Sequence, residues 1–281
     1  MEPPLARGRE RVHSGSRIPL LSQDVDERGL EYYLEPERYE AAFEGRSADV
    51  EFFVREALAQ GGEVLEFGAG SGRVTLPLLR AGVRVTAVDL SQAMLARLEE
   101  KLCAEPEEVR ERVRIVRGDM RSLRLGERFG LVLGTFNVVA HLHTRQELLA
   151  FLETAEHHLA PGGTILFDSM VPSSDELDAD PEELFPCDPF VDSRTGEIVL
   201  TFEGFAYDPA RRLLTIRTVY ETRGVRQEGA PLVLRQWFPR ELEGLLRERA
   251  PGRFQMTADY GQETDLTDAD MLVVRVGAPP P

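Results

Sequence analysis

The sequence contains very little lysine and cysteine. Lys101 is the single lysine, which argues against chemistry that depends on a lysine Schiff base. Cys103 and Cys187 are the two cysteines, too few and too far apart for a disulfide framework or a cysteine-based metal site. The chain also lacks an apolar run of about 18 residues, so we expect no membrane-spanning segment and a cytoplasmic location.

An excess of positive charge is absent as well. The formal net charge is −16, from 33 basic and 49 acidic residues. Proteins that bind a polyanion usually carry a basic face, whereas the arginines here are scattered among more numerous acids. We therefore expect no nucleic-acid partner. The acidic balance is compatible with a cationic ligand, although solubility alone also explains it.

The chain is long enough for one large domain with an insertion. Residues 1–25 are rich in Pro, Arg and Gly and lack the apolar core of a signal peptide, so they predict a disordered leader. Residues 26–62 predict a helical cover, with a single helix over 37–60. Residues 63–168 predict an α/β core that residues 238–281 complete.

Short apolar strands alternate with amphipathic helices through the core. This β-α-β pattern predicts a Rossmann-like, doubly wound sheet that is parallel and covered by helices on both faces. Ser91 is expected to cap a helix over 92–102, and Thr144 a helix over 146–159. The expected strands are 63–67, 83–88, 113–117, 129–133 and 164–167.

The pattern changes after the fifth core strand, where residues 169–237 predict an antiparallel β insertion. Residues 172–189 are acidic and proline-rich and predict a loop. Residues 197–207 and 212–222 alternate apolar and polar side chains on either side of a turn, which predicts a β-hairpin. A third antiparallel strand is expected within 231–237.

A glycine-rich loop follows the first core strand. Its sequence is Glu66-Phe67-Gly68-Ala69-Gly70-Ser71-Gly72. Glycine lets the backbone turn sharply and approach a ligand closely. Taken alone, such a loop also fits a tight strand-to-helix turn that binds nothing.

Polar residues follow each of the next three strands. Asp89 lies 21 residues beyond Gly68, where a carboxylate can hydrogen-bond both ribose hydroxyls of an adenosine. Asp119 follows the third strand, where it could receive the adenine amine, and Thr135 follows the fourth. Because open α/β sheets bind ligands at the carboxyl ends of their strands, these sites are expected to converge.

The combination resembles the core of class I S-adenosylmethionine-dependent methyltransferases. Residues 66–72 match the glycine loop of that family, Asp89 its ribose-binding acid and residues 118–120 its adenine-edge motif. Residues 159–163 match the loop before its fifth strand. The resemblance implies a seven-stranded sheet with an antiparallel last strand, S-adenosylmethionine as cofactor and S-adenosylhomocysteine as product.

The resemblance also implies roles for individual residues. The glycine loop would pass close to the methionyl part of the cofactor, with Glu66 near its ammonium group. Asp89 would hold the ribose, and Leu90 and Met120 would sandwich the adenine. The candidate cofactor-binding residues are Glu66, Gly68, Ala69, Gly70, Gly72, Asp89, Leu90, Met94, Asp119, Met120 and Thr135.

Residues 135–142 resemble the small-molecule N-methyltransferases, such as the amino-sugar dimethylating and the glycine and sarcosine enzymes. His141, Asn137 and Tyr39 are the candidate catalytic residues, and the resemblance would place Tyr39 near the transferred methyl group. Histidine can take a proton at neutral pH. Each has an ordinary alternative. His141 could form a hydrogen bond with the backbone only, Asn137 could cap or cover a neighbouring element, and Tyr39 could pack in an amphipathic helix.

Methyl transfer to an amine, or to a hydroxyl, of a small-molecule substrate is the function that we expect. The paired acidic ligands of metal-dependent catechol enzymes are not obvious, so no metal is expected. An NAD-dependent oxidoreductase would also use a glycine loop and Asp89, but its third glycine is spaced differently. A protein that binds the cofactor without turnover is a further alternative, and the sequence leaves the oligomeric state open.

Overall fold

The computed structural model describes residues 12–13, 30–43, 45, 47–192, 194–261 and 263–278. The chain divides into two compact units. The core unit comprises Gly45–Val171 and the described residues from Arg235 onward. The insertion unit comprises the described residues before Gly45 together with Pro172–Leu234.

Strands and helices alternate along most of the described chain. In order, the strands are β1 Val12–His13, β2 Glu63–Phe67, β3 Arg84–Asp89, β4 Val113–Arg117, β5 Phe129–Gly134, β6 Leu159–Met170, β7 Glu183–Val191, β8 Ile198–Asp208, β9 Leu213–Thr222, β10 Val225–Glu228, β11 Leu232–Arg235, β12 Phe254–Ala258 and β13 Met271–Gly277. The α-helices are α1 Pro36–Ala42, α2 Ala48–Gln60, α3 Thr75–Arg80, α4 Gln92–Leu102, α5 Glu107–Arg110, α6 Arg145–His157, α7 Ser174–Leu177 and α8 Pro239–Arg249. Leu30–Leu34 and Val138–His141 are short 3₁₀ helices.

The core unit is built on a seven-stranded sheet with the order β12-β13-β6-β5-β2-β3-β4. The pairs from β6 to β4 are parallel, and β13 runs antiparallel to both of its neighbours. The predicted Rossmann-like sheet with an antiparallel last strand is therefore confirmed.

Apolar side chains cover both faces of this sheet. On β2, Leu65 and Phe67 belong to one buried cluster. Val64, which comes directly before Leu65, belongs to the other. Burial on two faces explains why the parallel strands are almost continuously apolar in sequence. Trp237 is fully buried in the first cluster, and its indole N–H donates to the Val139 carbonyl at 3.0 Å.

Local capping signals set several helix ends as predicted. The Ser91 hydroxyl accepts a hydrogen bond from the Met94 N–H, and α4 has the predicted bounds. Thr144 and Glu147 form a reciprocal capping box at the start of α6. That helix ends at His157 rather than Leu159, because Leu159 already pairs with Phe129 as the first residue of β6.

The insertion unit is an antiparallel sheet with the order β1-β7-β8-β9-β10, in which β11 also pairs with β9. The predicted hairpin is β8–β9, and the Asp208 carboxylate accepts hydrogen bonds from the Ala210 and Arg211 N–H groups in its turn. The antiparallel insertion after the fifth core strand is thus confirmed.

Two expectations about local structure are wrong. The helix expected over 37–60 is interrupted between α1 and α2, where Gly45 adopts a φ of +86°, which no continuing helix can hold. The loop expected over 172–189 contains α7 and most of β7. Prolines 186 and 189 fit β7 because β1 reaches only Glu183 and Leu184, which leaves those prolines on an edge beside a bulge.

Short strands were also missed. β10 and β12 were not predicted, and Val12–His13, within the expected leader, pair with β7. The remaining leader residues lie outside the described part of the chain. Within that described part, no helix is both long and apolar enough to cross a membrane.

Candidate functional site

The sheet register brings the predicted motifs to one edge of the core unit. Phe67 pairs with Val88 of β3 and with Gly134 of β5, and Asp89 pairs with Arg117 of β4. The loops that leave these parallel strands therefore start side by side. This is the position at which open α/β sheets bind ligands.

The glycine loop is constrained at its ends and open in its middle. A Cβ on Gly68 would overlap the Val138 side chain, and one on Gly72 would overlap Leu98. Gly70 has a φ of +55°, and a Cβ there would meet nothing within 4 Å. The buried Ser71 hydroxyl has no hydrogen-bond partner among the described residues. A loop with open space and a spare donor in its middle fits the methionyl part of S-adenosylmethionine.

Asp89 joins this loop to the end of β3. Its Oδ2 accepts from the Gly70 N–H at 2.8 Å, and its Oδ1 accepts from the Ser91 N–H at 2.7 Å. Burial raises the pKa of Asp89, and these backbone hydrogen bonds oppose the rise. The carboxylate is thus held rigidly at the site expected for the ribose.

Glu66 is a fully buried carboxyl group directly before the loop. The Thr75 hydroxyl donates to its Oε2 at 2.6 Å, and the Thr135 hydroxyl lies 3.4 Å from its Oε1. Burial raises the pKa of Glu66 to about 7. The structure joins two predicted residues, Glu66 and Thr135, and adds Thr75, whose role no sequence motif indicates.

The adenine-side candidates lie in differing surroundings. Asp119 accepts hydrogen bonds from the Arg121 backbone and guanidinium, at 2.9 Å and 2.6 Å, and Arg121 also pairs with Glu147. Its carboxylate therefore already has a cationic partner. Leu90 and Met120 are half-buried, as a sandwich of an adenine requires, whereas Met94 is buried in the core.

Asp168, at the end of β6, is a second buried carboxylate that the sequence analysis missed. It accepts hydrogen bonds from the Phe136 N–H at 3.1 Å, the Asn137 N–H at 2.6 Å and the Tyr260 hydroxyl at 2.8 Å. Burial raises its pKa to about 6. An aspartate inside an otherwise apolar strand was the available signal.

The candidate catalytic segment follows β5 and is braced by this carboxylate. Phe136 and Asn137 both have positive φ angles, and the Asn137 side-chain oxygen accepts from the Met170 N–H at 3.0 Å. The Asn137 side chain thus contacts backbone of the core. His141 is half-buried and ends the 3₁₀ helix that begins at Val138.

Arg73 supports the same segment from the glycine-loop side. Its guanidinium stacks over the Phe136 ring at 4.0 Å and forms an ion pair with the buried Asp49. The Arg235 guanidinium donates to the Glu241 carboxylate at 2.9 Å and lies over the Trp237 ring. Both of these contacts of Arg235 are with nearby residues of the core unit.

Tyr39 belongs to α1 of the insertion unit. Its ring contacts those of Tyr32, Tyr33 and Phe43, with centroids 6.4, 5.5 and 4.9 Å away. Within the described ranges, no group of three or more histidine, cysteine or acidic side chains is arranged to hold a metal ion.

Comparison with known proteins agrees with this geometry. Residues 64–163 match the model of a methyltransferase domain family. Cypemycin N-terminal methyltransferase of Streptomyces sp is 34% identical over 40% of this chain and 44% of that protein. The dTDP-3-amino-3,4,6-trideoxy-alpha-D-glucopyranose N,N-dimethyltransferase of Streptomyces venezuelae is 26% identical over 45% of this chain and 50% of that protein. The chain thus spans about half the length of these curated relatives.

Solved structures extend the likeness beyond the core. The CcbJ methyltransferase from Streptomyces caelestis superposes with a TM-score of 0.71 at 24% identity, over 90% of this chain and all of that one. SAM-bound CalS10, an amino pentose methyltransferase from Micromonospora echinaspora, superposes with a TM-score of 0.62 at 22% identity, over 85% of this chain and 96% of that one. The fold is that of S-adenosylmethionine-dependent methyltransferases.

Proposed function

We propose that this protein transfers a methyl group from S-adenosylmethionine to an amine of a small metabolite and releases S-adenosylhomocysteine. The observation that carries the proposal is the link between Gly70 and Asp89, which joins the open glycine loop to the ribose-binding acid. The matched methyltransferase domain supports the same reaction.

When bound, the cofactor supplies an electrophilic methyl group on a positively charged sulfur. The chain must align an acceptor lone pair with that methyl and keep water out. The Gly68–Gly72 backbone and Asp89 would bind the two ends of the cofactor, and Glu66 would offset its ammonium charge. The segment after β5, which Asp168 fixes, would position the acceptor.

The acceptor nitrogen must present a lone pair, so an ammonium must first lose a proton. His141 is the group that we assign to accept or relay it, because an imidazole titrates near neutral pH. An amine is favoured over a hydroxyl because one relative is named as an N-terminal methyltransferase and another as an N,N-dimethyltransferase. The net charge of −16 also favours a cationic substrate.

Calorimetric titration with S-adenosylhomocysteine tests the cofactor, with NAD titrated in parallel. We expect binding of S-adenosylhomocysteine alone, weakened at least about tenfold, or ~1.4 kcal/mol, in Asp89→Ala. Asp265→Ala, which changes an exposed acid elsewhere in the core unit, is the matched control and should bind as the wild type does. Binding of NAD instead would favour the oxidoreductase.

Methyl transfer to paired amines and alcohols of the same skeleton, followed by mass spectrometry, tests the acceptor. Methylated amines are expected. Methylated alcohols alone would make the protein an O-methyltransferase. Tight binding of S-adenosylhomocysteine without any product would favour a protein that binds the cofactor without turnover.

A further inference from the structure

The glycine loop and the residues that follow β5 meet at two points of the core unit. We call residues 135–142 the post-β5 segment. At the start of the loop, Gly68 lies so close to this segment that an added Cβ would overlap the Val138 side chain. At the end of the loop, the guanidinium of Arg73 lies 4.0 Å from the centre of the Phe136 ring. Because close-packed groups transmit displacements to their neighbours, a shift of the loop acts on the post-β5 segment.

The Arg73 guanidinium is held in place by a buried acid. Its Nη1 donates to the Asp49 Oδ1 at 3.2 Å, and its Nη2 donates to the Asp49 Oδ2. The Asp49 side chain is 7% exposed and that of Arg73 is 20% exposed. A two-point contact of this kind fixes the plane of the guanidinium, and a fixed plane can stack on an aromatic ring. Arg73 is therefore a rigid link between the glycine loop and Phe136.

The post-β5 segment has a strained geometry that its neighbours maintain. Phe136 and Asn137 have φ angles of +57° and +59°, which residues with side chains seldom adopt. Such strain persists only where the surrounding structure holds it. Asp168 accepts hydrogen bonds from both backbone N–H groups, and Arg73 stacks on the Phe136 ring. The geometry of the segment thus depends on tertiary contacts, and the Arg73 stack is the one that comes from the glycine-loop side.

The post-β5 segment is also hydrogen-bonded to a natural fluorophore. Trp237 is the single tryptophan of the sequence. Its indole N–H donates to the Val139 carbonyl at 3.0 Å, within the 3₁₀ helix Val138–His141. Trp237 is 1% exposed, so its ring is shielded from direct contact with a ligand. A change in its fluorescence on ligand binding therefore reports a change in the protein around the indole.

We propose that Arg73 is a positioning residue that couples occupation of the glycine loop to the conformation of the post-β5 segment. With a ligand in the loop, the backbone from Gly68 to Arg73 is fixed, and Arg73 then holds Phe136 and the 3₁₀ helix that ends at His141. A ligand shifts such an equilibrium only because it binds one conformation more tightly than the other. This inference rests on the proposed function and adds how cofactor binding is linked to the placement of His141.

Fluorescence titration of the full chain with S-adenosylhomocysteine tests the coupling. Excitation at the red edge of the absorption band selects Trp237 over the tyrosines. The wild type is expected to show a saturable change in emission, with the same midpoint as the heat of binding in a parallel calorimetric titration. Heat of binding without any change in the emission of Trp237 would overturn the proposal.

A matched pair of variants at Phe136 tests the stacking contact. Phe136→Tyr keeps an aromatic face toward the guanidinium and should retain the wild-type change in emission. Phe136→Leu removes the ring and should lose roughly half or more of that change at saturation. Comparison at saturation ensures that weaker affinity in a variant does not imitate a smaller change. An equal response in Phe136→Tyr and Phe136→Leu would overturn the role of the stack.

Arg73→Lys tests the other side of the contact. Lysine keeps the positive charge but has no plane to stack and cannot bind both oxygens of Asp49 in the same way. It should lose a similar fraction of the change in emission as Phe136→Leu. Arg80→Lys is the control, because Arg80 is an exposed arginine at the end of α3 that pairs with Glu105, and it should respond as the wild type does.

The double variant shows whether both side chains act through one contact. Arg73→Lys combined with Phe136→Leu should lose no more of the change in emission than the stronger single variant, because both break the same stack. Losses that add would mean that the two residues act separately, which would contradict the proposed link. Urea unfolding verifies that each variant is folded, and the Phe136 pair decides the question if Arg73→Lys does not fold.

The outcomes separate this inference from the proposed function. Failure of the wild type to bind S-adenosylhomocysteine in calorimetry would overturn the proposed function. Normal binding, with the full wild-type change in emission in both Arg73→Lys and Phe136→Leu, would overturn the positioning role of Arg73 alone.

Discussion

The Asp168 carboxylate accepts a hydrogen bond from the Asn137 backbone N–H at 2.6 Å, across 31 residues of sequence. Asn137 has a φ of +59° in the left-handed region, which is unfavourable for most side chains. The same carboxylate binds Phe136, whose φ is also positive. One buried acid at the end of β6 thus holds the strained turn that leads to His141.

Asp168→Asn should destabilise the protein. An amide has one acceptor oxygen in place of two, so at least one of the three donors around it would be buried without a partner. Losing a charge-assisted hydrogen bond and leaving its donor buried without a partner lowers the free energy of unfolding by about 2–4 kcal/mol. Urea unfolding of wild type and Asp168→Asn measures the difference, and equal midpoints would contradict the bracing role. Tyr260→Phe removes only the hydroxyl donor and should cost less.

Glu66 should make the stability of the ligand-free protein depend on pH. Its pKa is about 7 in the folded protein and 4.5 when exposed, so folding favours the protonated form. The contribution of Glu66 to the free energy of unfolding is fully present below pH 4.5 and is lost as the pH rises through about 7. Between pH 5 and pH 8 the loss attributable to Glu66 should be roughly 2.5 kcal/mol.

Glu66→Gln provides the comparison, since the amide has the same shape and does not titrate. The free energy of unfolding in urea, measured for both proteins at pH 5 and pH 8, should fall more steeply with pH in the wild type. Identical pH profiles would mean that Glu66 stays ionised in the folded state.

Alanine at two positions of the glycine loop should have different effects. Gly70→Ala meets no neighbour, so only the positive φ is penalised, by about 1–2 kcal/mol, and the added methyl narrows the open middle of the loop. Gly68→Ala adds an overlap with Val138 and should lower the melting temperature further. Calorimetry with S-adenosylhomocysteine should show weaker binding in Gly70→Ala. Unchanged affinity there would argue that the ligand lies elsewhere.

His141→Ala should lower turnover and leave cofactor affinity unchanged. A positioned proton acceptor contributes about 100-fold or more to a rate, so a loss of that order in kcat is expected. His143→Ala, two residues along the chain, is the matched control and should turn over normally. Retention of the wild-type kcat in His141→Ala would remove the assignment.

Sequence patterns predicted the parts of this fold that depend on near neighbours. The strand and helix periods of residues 63–168, the Ser91 cap of α4 and the turn at Asp208 each depend on a few consecutive residues, and each is present. The glycine loop and Asp89 were also predictable, since their spacing reflects one strand-helix-strand unit.

The sequence by itself therefore determined the class of fold and the position of the cofactor motifs, because hydrophobic period and turn chemistry are local. Tertiary structure decided which isolated polar residues matter. Asp168 accepts a hydrogen bond from the Tyr260 hydroxyl across 92 residues of sequence. The desolvation that shifts the pKa of Glu66 and Asp168 likewise exists only once the core has closed around them, so no pattern in the chain could predict it.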